Sequence, residues 1–264
     1  MEKELEKYID TVICANCVDI LKELPNECID LTLTSPPYDT LRDYNTFTFD
    51  FKKIATQLYR ITKNGGVIVW VIGDSTNKGS ETGSSFRQAL YFKELGFNLH
   101  DTMIYQKSGF AYPSTTRYHQ IFEYMFVFSK NKPKTFNPIK DKPNKTQYTF
   151  SKKRRKKDGT MTNKDDTSRI NVTPFGMRTN IWKYSTGKGN STKDNIAYKH
   201  PAIFPEKLCI DHILSWTSPN EVVLDPMTGS GTVLKAAKLL NRYFVGIDIS
   251  AEYCNIARER LKLV

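Results

Sequence analysis

The chain has 264 residues and carries 39 Lys and Arg against 28 Asp and Glu, a formal net charge of +11. This length is enough to bury one large core, and the positive charge favours a polyanionic partner, either a nucleic acid or an anionic membrane surface. No apolar run reaches the ~20 residues that span a bilayer, and the first residues lack the pattern of a signal peptide, so the sequence predicts a soluble, intracellular protein.

The first 130 residues alternate short apolar stretches with helix-length segments, which is typical of an α/β sheet. Gly65 and Gly66 are expected to end a helix before the next strand begins. The last two strands of this region have no helix between them and predict an antiparallel hairpin at one edge of the sheet. The expected strands are 8–14, 29–34, 67–72, 101–106 and 121–129, and the expected helices are 17–24, 51–61 and 85–95.

The five cysteines are an odd number and form no dense framework, so disulfide bonds are not expected. Cys14 and Cys17 have the C-x-x-C spacing of some zinc and redox sites, but no second pair or suitably spaced histidines accompany them. We interpret them as thiols in or near the core, and we expect no metal site.

A Ser-Pro-Pro-Tyr sequence, residues 35–38, follows the expected strand Ile29–Thr34. Proline fixes φ and cannot continue a ladder of strand hydrogen bonds, so the carbonyls of Ser35 and Pro36 are held at the end of the strand. A hydroxyl, a fixed carbonyl and the aromatic ring of Tyr38 together match the two N–H donors and the π face of a nucleobase amine. An ordinary strand-ending turn is the alternative, so this motif needs a second signal.

From residue 130 to about 199 the composition changes to Lys, Asn, Thr, Asp and Gly with few aliphatic residues. A basic run within this segment favours a mobile loop that becomes ordered on DNA, and the alternative is a solvated loop without a role. Arg117, in the loop between the last two expected strands, is a further candidate for a DNA contact. The basic run consists of Lys152, Lys153, Arg154, Arg155, Lys156 and Lys157.

The second signal lies near the carboxyl end, where residues 221–240 read as a strand, a glycine turn and a helix. Gly229 and Gly231 let the backbone approach a ligand closely, and the start of the helix presents free N–H groups. The turn is neither a P-loop nor a complete dinucleotide fingerprint. Asp248 ends the next strand, at about the ~20-residue offset where an acid holds the ribose of an adenosine cofactor. Capping of the following helix by Asp248 is the alternative.

Together these motifs resemble the amino-group DNA methyltransferases that use S-adenosylmethionine. Thr34–Tyr38 looks like their catalytic motif, Asp225–Thr232 like their cofactor loop, and His200–Glu206 like their helix beneath the cofactor. The catalytic motif precedes the cofactor loop, an order similar to the β group of these enzymes. The chain departs from the family at Met227, where Phe is usual, and at Asn16, where relatives often carry Asp.

The resemblance implies a catalytic role for Ser35, Pro36, Pro37 and Tyr38, and DNA contacts by Arg117 and the basic run. It implies an α/β, Rossmann-like, S-adenosylmethionine-dependent methyltransferase fold, with a mixed sheet, an antiparallel edge hairpin and a circularly permuted motif order. The implied parts are a catalytic half (1–130), a basic target-recognition insertion (131–199) and a cofactor-binding half (200–264). The implied cofactor contacts are Asp225, Pro226, Met227, Gly229, Ser230, Gly231, Thr232, Asp248, Ile249, Phe204, Glu206 and Asn16.

The implied activity is site-specific transfer of a methyl group from S-adenosylmethionine to the exocyclic amine of a flipped base in double-stranded DNA. Ser35 at the first position of the motif favours cytosine N4, and adenine N6 is the alternative. A cognate restriction endonuclease is a conceivable partner, and the expected form is a cytoplasmic monomer or homodimer. The competing interpretations are methylation of RNA or of a protein side-chain amide, a DNA-binding module without catalysis, and a nicotinamide oxidoreductase.

Overall fold

The computed structural model describes residues 3–37, 49–110, 113–150, 155–161 and 169–264. These residues form two compact units, one of Met1–Asn137 with Asn180–Val264 and one of Pro138–Thr179. The second unit is shorter than the insertion expected at 131–199, because residues 131–137 and 180–199 belong to the first unit.

The elements before the second unit follow the predicted alternation of helices and strands. They are α1 (Lys3–Glu6), β1 (Thr11–Cys14), α2 (Cys17–Glu23), β2 (Ile29–Thr34), α3 (Phe51–Ile61), β3 (Thr62–Ile72), β4 (Thr76–Asn77), β5 (Ser80–Glu81), α4 (Ser84–Glu94), β6 (Asn98–Lys107) and β7 (Phe122–Ser129).

The second unit contains short strands, and the elements after it complete the first unit. The second unit has β8 (Lys142–Pro143), β9 (Tyr148–Phe150), β10 (Arg169–Asn171) and β11 (Phe175–Gly176); the later elements are β12 (Ile181–Tyr184), a 3₁₀ helix (Asn195–Lys199), α5 (Glu206–Trp216), β13 (Val222–Asp225), α6 (Thr232–Leu239), β14 (Tyr243–Asp248) and α7 (Ala251–Leu261).

One mixed sheet of eight strands organises the first unit, in the order β1-β14-β13-β2-β3-β7-β6-β12. The paired strands run parallel except β7, which is antiparallel to both β3 and β6. The predicted hairpin of β6 and β7 is present, but its position at the edge was wrong because β12 pairs in parallel with β6. Trp182 and Tyr184 of β12 are buried, so this strand belongs to the sheet although it lies in a polar stretch of sequence.

The glycines at residues 65 and 66 act differently from the prediction. The helix α3 already ends at Ile61, and β3 runs through both glycines from Thr62. The pairing with β2 is irregular here, since Ile29 faces Thr62 and Leu31 faces Val67. Gly65 has a φ of +78°, so the pair supplies a bulge in the strand rather than a stop for the helix.

The core lies on both faces of the sheet, as the period-2 pattern of β3 requires. Ile68, Trp70 and Ile72 face the cluster formed with α2, α3 and α4. Val67, Val69 and Val71 are equally buried on the alternate positions. The helices α5, α6 and α7 pack against one another and against the strands, which gives three layers with the sheet in the middle.

The second unit consists of the antiparallel pairs β9–β10 and β8–β11. Within it, the guanidinium of Arg178 pairs with the carboxylate of Asp141. In the part of the chain that the structure describes, no helix is both long and apolar enough to cross a membrane.

Candidate active site

The two sequence motifs meet at one edge of the central sheet. β2 and β13 are parallel neighbours, with Leu31 opposite Val223, so both strands end at the same edge. There Thr34 Oγ1 donates a hydrogen bond of 2.7 Å to Asp225 Oδ1, across 191 positions of the sequence. The arrangement places the residues after β2 beside the residues after β13.

The residues that follow β2 begin the candidate catalytic motif. Pro36 is buried, and Ser35 and Pro37 are partly exposed. Tyr38, the aromatic member of the predicted motif, lies outside the described residues. β2 ends at Thr34, just before the two prolines, as the sequence predicts.

Asp225 is a buried carboxyl group at the start of the candidate cofactor loop, with 3% of its surface exposed. Burial raises the pKa of this group from 3.8 to about 7, because the charged form loses hydration. The hydrogen bonds from Thr34 and from the Met227 amide act in the opposite direction, and the nearby Asp248 raises the pKa further. Asp225 thus titrates close to neutral pH.

The turn after Asp225 depends on glycine for two different reasons. Gly229 and Gly231 have φ values of +49° and +76°, which side chains rarely adopt. A Cβ atom at Gly229 would lie 2.8 Å from His200 Nε2, and one at Gly231 would lie 2.7 Å from the Cβ of Ala257. The glycines therefore allow α7 and the segment that carries His200 to approach the turn closely.

Asp248, at the end of β14, also contacts this turn. Its Oδ2 accepts the Gly229 amide at 2.8 Å, and its Oδ1 accepts the Ser250 amide at 2.9 Å. The side chain of Ser250 caps α7 by accepting the Tyr253 amide, so Asp248 is not the capping side chain. Burial raises the pKa of Asp248, although these backbone hydrogen bonds lower it. Asp248 as a whole is partly exposed beside the glycine turn.

A buried ionic cluster behind the turn was not found by sequence reasoning. Arg260 of α7 is fully buried, and its Nε lies 3.0 Å from Asp194 Oδ2. Lys235 of α6 donates to Asp194 at 2.8 Å and to Glu206 Oε2 at 3.1 Å. Thr192 Oγ1 also donates to Glu206, at 2.8 Å. Two cations and two anions are thus paired between the segment before the 3₁₀ helix, α5, α6 and α7.

The same arginine holds the candidate cofactor loop. Arg260 Nη1 donates to the Ser230 carbonyl at 2.7 Å and to Thr232 Oγ1 at 2.8 Å. Glu206 was predicted as a cofactor contact, and the structure places it in this cluster with Lys235 and Arg260. No short motif signals such a cluster, because Asp194, Lys235 and Arg260 lie far apart in sequence.

The remaining predicted cofactor contacts differ in exposure. Asn16 caps α2 by accepting the Val18 amide, and its side chain is exposed. Pro226 is buried, Met227 and Phe204 are partly exposed, and Ile249 is exposed.

The loop also contains an unpaired polar atom. Thr228 Oγ1 is buried without a hydrogen-bond partner among the described residues. Buried hydroxyl groups normally find a partner, so the atom fits a loop that contacts a polar ligand.

Among the predicted DNA contacts, Arg155, Lys156 and Lys157 are exposed in the second unit. Arg117 lies in the first unit, where its guanidinium contacts the hairpin of β4 and β5. The other three residues of the basic run, 152–154, lie outside the described residues.

All five cysteines are free, and Cys14 is exposed rather than near the core. No group of three or more His, Cys, Asp or Glu side chains in the described ranges is arranged to hold a metal ion.

Comparison with known proteins identifies relatives along nearly the whole chain. A family model described as DNA methylase matches residues 29–259. The orphan methyltransferase M.BamHII of Bacillus amyloliquefaciens is 57% identical over 248 residues, which cover 92% of this chain and 92% of the relative. The type II methyltransferase M.BglII of Bacillus subtilis is 27% identical over 273 residues, which cover 97% of this chain and 70% of the relative.

Two solved structures share the architecture. The PvuII DNA methyltransferase (cytosine-N4-specific) aligns with a TM-score of 0.69 at 20% identity, covering 94% of this chain and 85% of the other. The M1.HpyAVI–SAM complex aligns with a TM-score of 0.62 at 23% identity, covering 95% and 99%. These likenesses confirm the fold class predicted from the sequence.

Proposed function

The chain belongs to the DNA methylase family of N6- and N4-amino-methyltransferases, and from this premise we propose that its target is the N4 amine of a cytosine in double-stranded DNA. The family supports an enzyme that methylates an exocyclic amine of DNA. The choice of cytosine over adenine is the finer part of the proposal.

The observation that carries the proposal is the contact between the two motifs. The hydrogen bond from Thr34 to Asp225 joins the strand end that leads to Ser35 with the loop proposed to hold the cofactor. Methyl transfer requires an amine and a methyl donor to be held together in one orientation, and adjacent parallel strands provide such a rigid support. Rigid placement of this kind accounts for a large part of the rate in group-transfer enzymes.

The residues of the glycine turn fit S-adenosylmethionine, which supplies an electrophilic methyl group when bound. The carboxylate of Asp248, a partly exposed residue, is suited to accept hydrogen bonds from ribose hydroxyls. Thr228 Oγ1, unpaired among the described residues, offers a further polar contact. Met227 supplies apolar surface next to these groups, in the position where Phe is usual in the family.

On the substrate side, Ser35 and Pro36 hold the amine. The hydroxyl of Ser35 and the carbonyl of Pro36 each accept one amine hydrogen, which makes the nitrogen more tetrahedral and directs its lone pair outward. No strong base is needed, because the nitrogen loses its proton only after it has gained the methyl group. Tyr38 is proposed to stack on the flipped base and so offset part of the cost of unstacking it.

Two features support cytosine over adenine, and neither of them is a contact with a base. Ser35 is at the first position of the motif, where Ser most often accompanies cytosine in the family that the chain resembles. The PvuII enzyme, whose fold is shared, is named as specific for cytosine N4. At 20% identity this likeness establishes the fold alone, so Ser35 is the main support for cytosine.

The test is transfer of labelled methyl from S-adenosylmethionine to duplex DNA, followed by mass spectrometry of the nucleosides. We expect N4-methylcytosine, with no label in tRNA or protein controls. N6-methyladenine would contradict the choice of base while supporting the enzyme class. Binding of S-adenosylmethionine and DNA without any transfer would instead favour a DNA-binding module that lacks catalysis. Methylation-aware sequencing of DNA from cells that express the chain would identify the recognition site.

A further inference from the structure

The loop between β6 and β7, described at residues 108–110 and 113–121, leaves the sheet at the edge that carries the candidate active site. β6 runs in the direction of β2 and β3, and β7 runs in the opposite direction, so the loop begins and ends where β2 ends. Neighbouring strands are ~4.8 Å apart, so Phe126 of β7, which is level with Thr34 through Trp70, lies about 10 Å from the end of β2. β7 begins further out in the same direction, at Phe122. The loop therefore stands beside the proposed entry of the flipped base.

Internal contacts brace this loop. The Lys107 amide donates to the Ile121 carbonyl at 2.7 Å and closes its base. The rings of Phe110 and His119 lie 4.0 Å apart between centroids, and His119 Nε2 lies 3.3 Å from the Ser114 carbonyl oxygen. The side chain of His119 thus contacts two other parts of the loop.

Arg117 fastens the loop to the neighbouring β4–β5 hairpin. Its Nη2 donates to the Gly79 carbonyl at 2.7 Å, and its Nη1 donates to Thr76 Oγ1 at 3.2 Å. Nη1 also lies 3.8 Å from Glu81 Oε1. This hairpin follows β3, which is the direct neighbour of β2. Both terminal nitrogens of the guanidinium therefore contact protein atoms of the hairpin, an arrangement that suits a positioning residue.

Between these two supported residues, Tyr118 is completely exposed, at 101% of its reference surface. A single exposed aromatic ring is common on a protein surface, so the contacts of the residues on either side are what distinguish Tyr118. A ring in this position is ready to stack without first losing backbone freedom.

We propose that Tyr118 stacks against the neighbouring base pair at the position that the target base leaves when it is flipped out, and that Arg117 positions it. The inference rests on the proposed function, because it assumes a flipped base in duplex DNA. Flipping breaks stacking on both sides of the target, and an aromatic side chain that enters the gap replaces part of it. Stacking of a base on an aromatic ring is sequence-tolerant, so the role needs no specific hydrogen bond.

The experiment compares the wild type with Tyr118→Ala, Tyr118→Phe and Tyr118→Trp on two duplexes. One duplex carries the normally paired target, and the other carries the target base in a mismatch, where flipping costs less. Methyl-transfer rates are measured under single-turnover conditions, and 2-aminopurine at the target position reports base extrusion by fluorescence. Phe136→Ala is the control, since Phe136 is another exposed aromatic, at 50%, but stacks on Trp216 at the end of α5.

For Tyr118→Ala we expect a loss of about 5- to 150-fold on the paired duplex, the range equivalent to the 1–3 kcal/mol of one stacking contact. The loss should shrink on the mismatched duplex, and the 2-aminopurine signal should fall. Tyr118→Phe, Tyr118→Trp and Phe136→Ala should remain close to the wild type. Equal losses of Tyr118→Ala on both duplexes, or an unchanged fluorescence signal, would overturn the inference. Failure of the proposed function would look different, since the wild type would then transfer no methyl group to either duplex.

Arg117→Met separates positioning from direct phosphate contact. A positioning role predicts the same pattern as Tyr118→Ala, with a larger defect on the paired duplex and an unchanged salt dependence of binding. A phosphate contact would lower the affinity for both duplexes alike and reduce the number of ions released on DNA binding by about one. That result would overturn the positioning role.

Discussion

Thr34 Oγ1 and Asp225 Oδ1 lie 2.7 Å apart and buried at the edge of the sheet where β2 and β13 end, although the two residues are 191 positions apart in sequence. Each residue ends a strand, and each begins a motif of the candidate site. Because the bond is buried, the distance between the motifs is set by the core and not by surface loops.

Thr34→Val should therefore affect both stability and turnover. The valine fills a similar volume but removes the donor, which leaves the buried Asp225 carboxyl with the Met227 amide but without its hydroxyl partner. We expect a cost of about 1–3 kcal/mol in unfolding free energy. We expect the turnover number to fall more than the affinity for S-adenosylmethionine. Urea unfolding and steady-state kinetics measure the two effects. Thr34→Ser keeps the hydroxyl and is the control, and a Thr34→Val enzyme with wild-type turnover would contradict the coupling of the motifs.

The raised pKa of Asp225, about 7 compared with the ordinary 3.8, predicts a pH-dependent stability. Between these values the folded protein retains the proton and the unfolded chain releases it, so the free energy of unfolding falls as the pH rises through this interval. Above pH ~7 this contribution levels off, because both states are then ionised. Asp225→Asn keeps an oxygen for Thr34 and should flatten this part of the profile.

The profile is measured as the thermal midpoint at several pH values between 5 and 8. Asp19→Asn, on the exposed face of α2, is the matched control and should leave the slope unchanged. An identical slope in wild type and Asp225→Asn would show that another group titrates here.

Sequence patterns predicted most of the sheet but not its outer strand. The bounds of β2 and α3 agree with the prediction because a continuous apolar run and a clear helical face mark them. β12 has four residues in a polar segment, and it becomes a strand only by pairing with β6, far away in sequence. Such a strand depends on a long-range contact, and the local hydrophobic pattern of the sequence does not show that contact.

The sequence also located only part of the candidate site. The strand-ending prolines and the glycine turn are local features, so the sequence located them. The partners of Arg260 come from separate segments, and Asp194 lies in a stretch that reads as a polar loop. The local pattern around Glu206 indicates a helix start, whereas its ionic partners are supplied by α6 and α7. Contacts of this kind follow from the fold and not from spacing.

Ser35→Ala and Asp248→Ala should separate catalysis from cofactor binding. Loss of the Ser35 hydroxyl removes one acceptor for the amine, so turnover should fall by about 10²-fold or more with little change in cofactor affinity. Loss of the Asp248 carboxylate should weaken S-adenosylmethionine binding by ~10-fold or more, because charged hydrogen bonds contribute about 1.5–3 kcal/mol. Calorimetry and single-turnover kinetics distinguish the two. Full turnover and full affinity in both variants would show that the roles are assigned incorrectly.

Arg260→Met should destabilise the protein strongly. The substitution leaves Asp194 and Glu206 with fewer partners, and breaking a buried ion pair typically costs about 3–5 kcal/mol. The Ser230 carbonyl also loses its donor, so affinity for the cofactor should decrease with stability. Lys262→Met is the matched control, because the Lys262 side chain is 70% exposed, and its effect should stay within about 0.5 kcal/mol. Equal unfolding free energies for the two variants would argue against a structural role for the cluster.

Gly231→Ala tests whether close packing at the glycine turn matters beyond backbone conformation. Gly187 and Gly231 have φ values of +95° and +76°, so an alanine is strained at either position by about 1–2 kcal/mol. Only at Gly231 does the new Cβ meet a neighbour, 2.7 Å from Ala257 Cβ, whereas nothing lies within 4 Å at Gly187. We therefore expect Gly231→Ala to lose more stability than Gly187→Ala and to bind S-adenosylmethionine more weakly, as measured by urea unfolding and calorimetry. Similar losses in both variants would mean that backbone strain alone, and not the approach of α7, requires glycine in the turn.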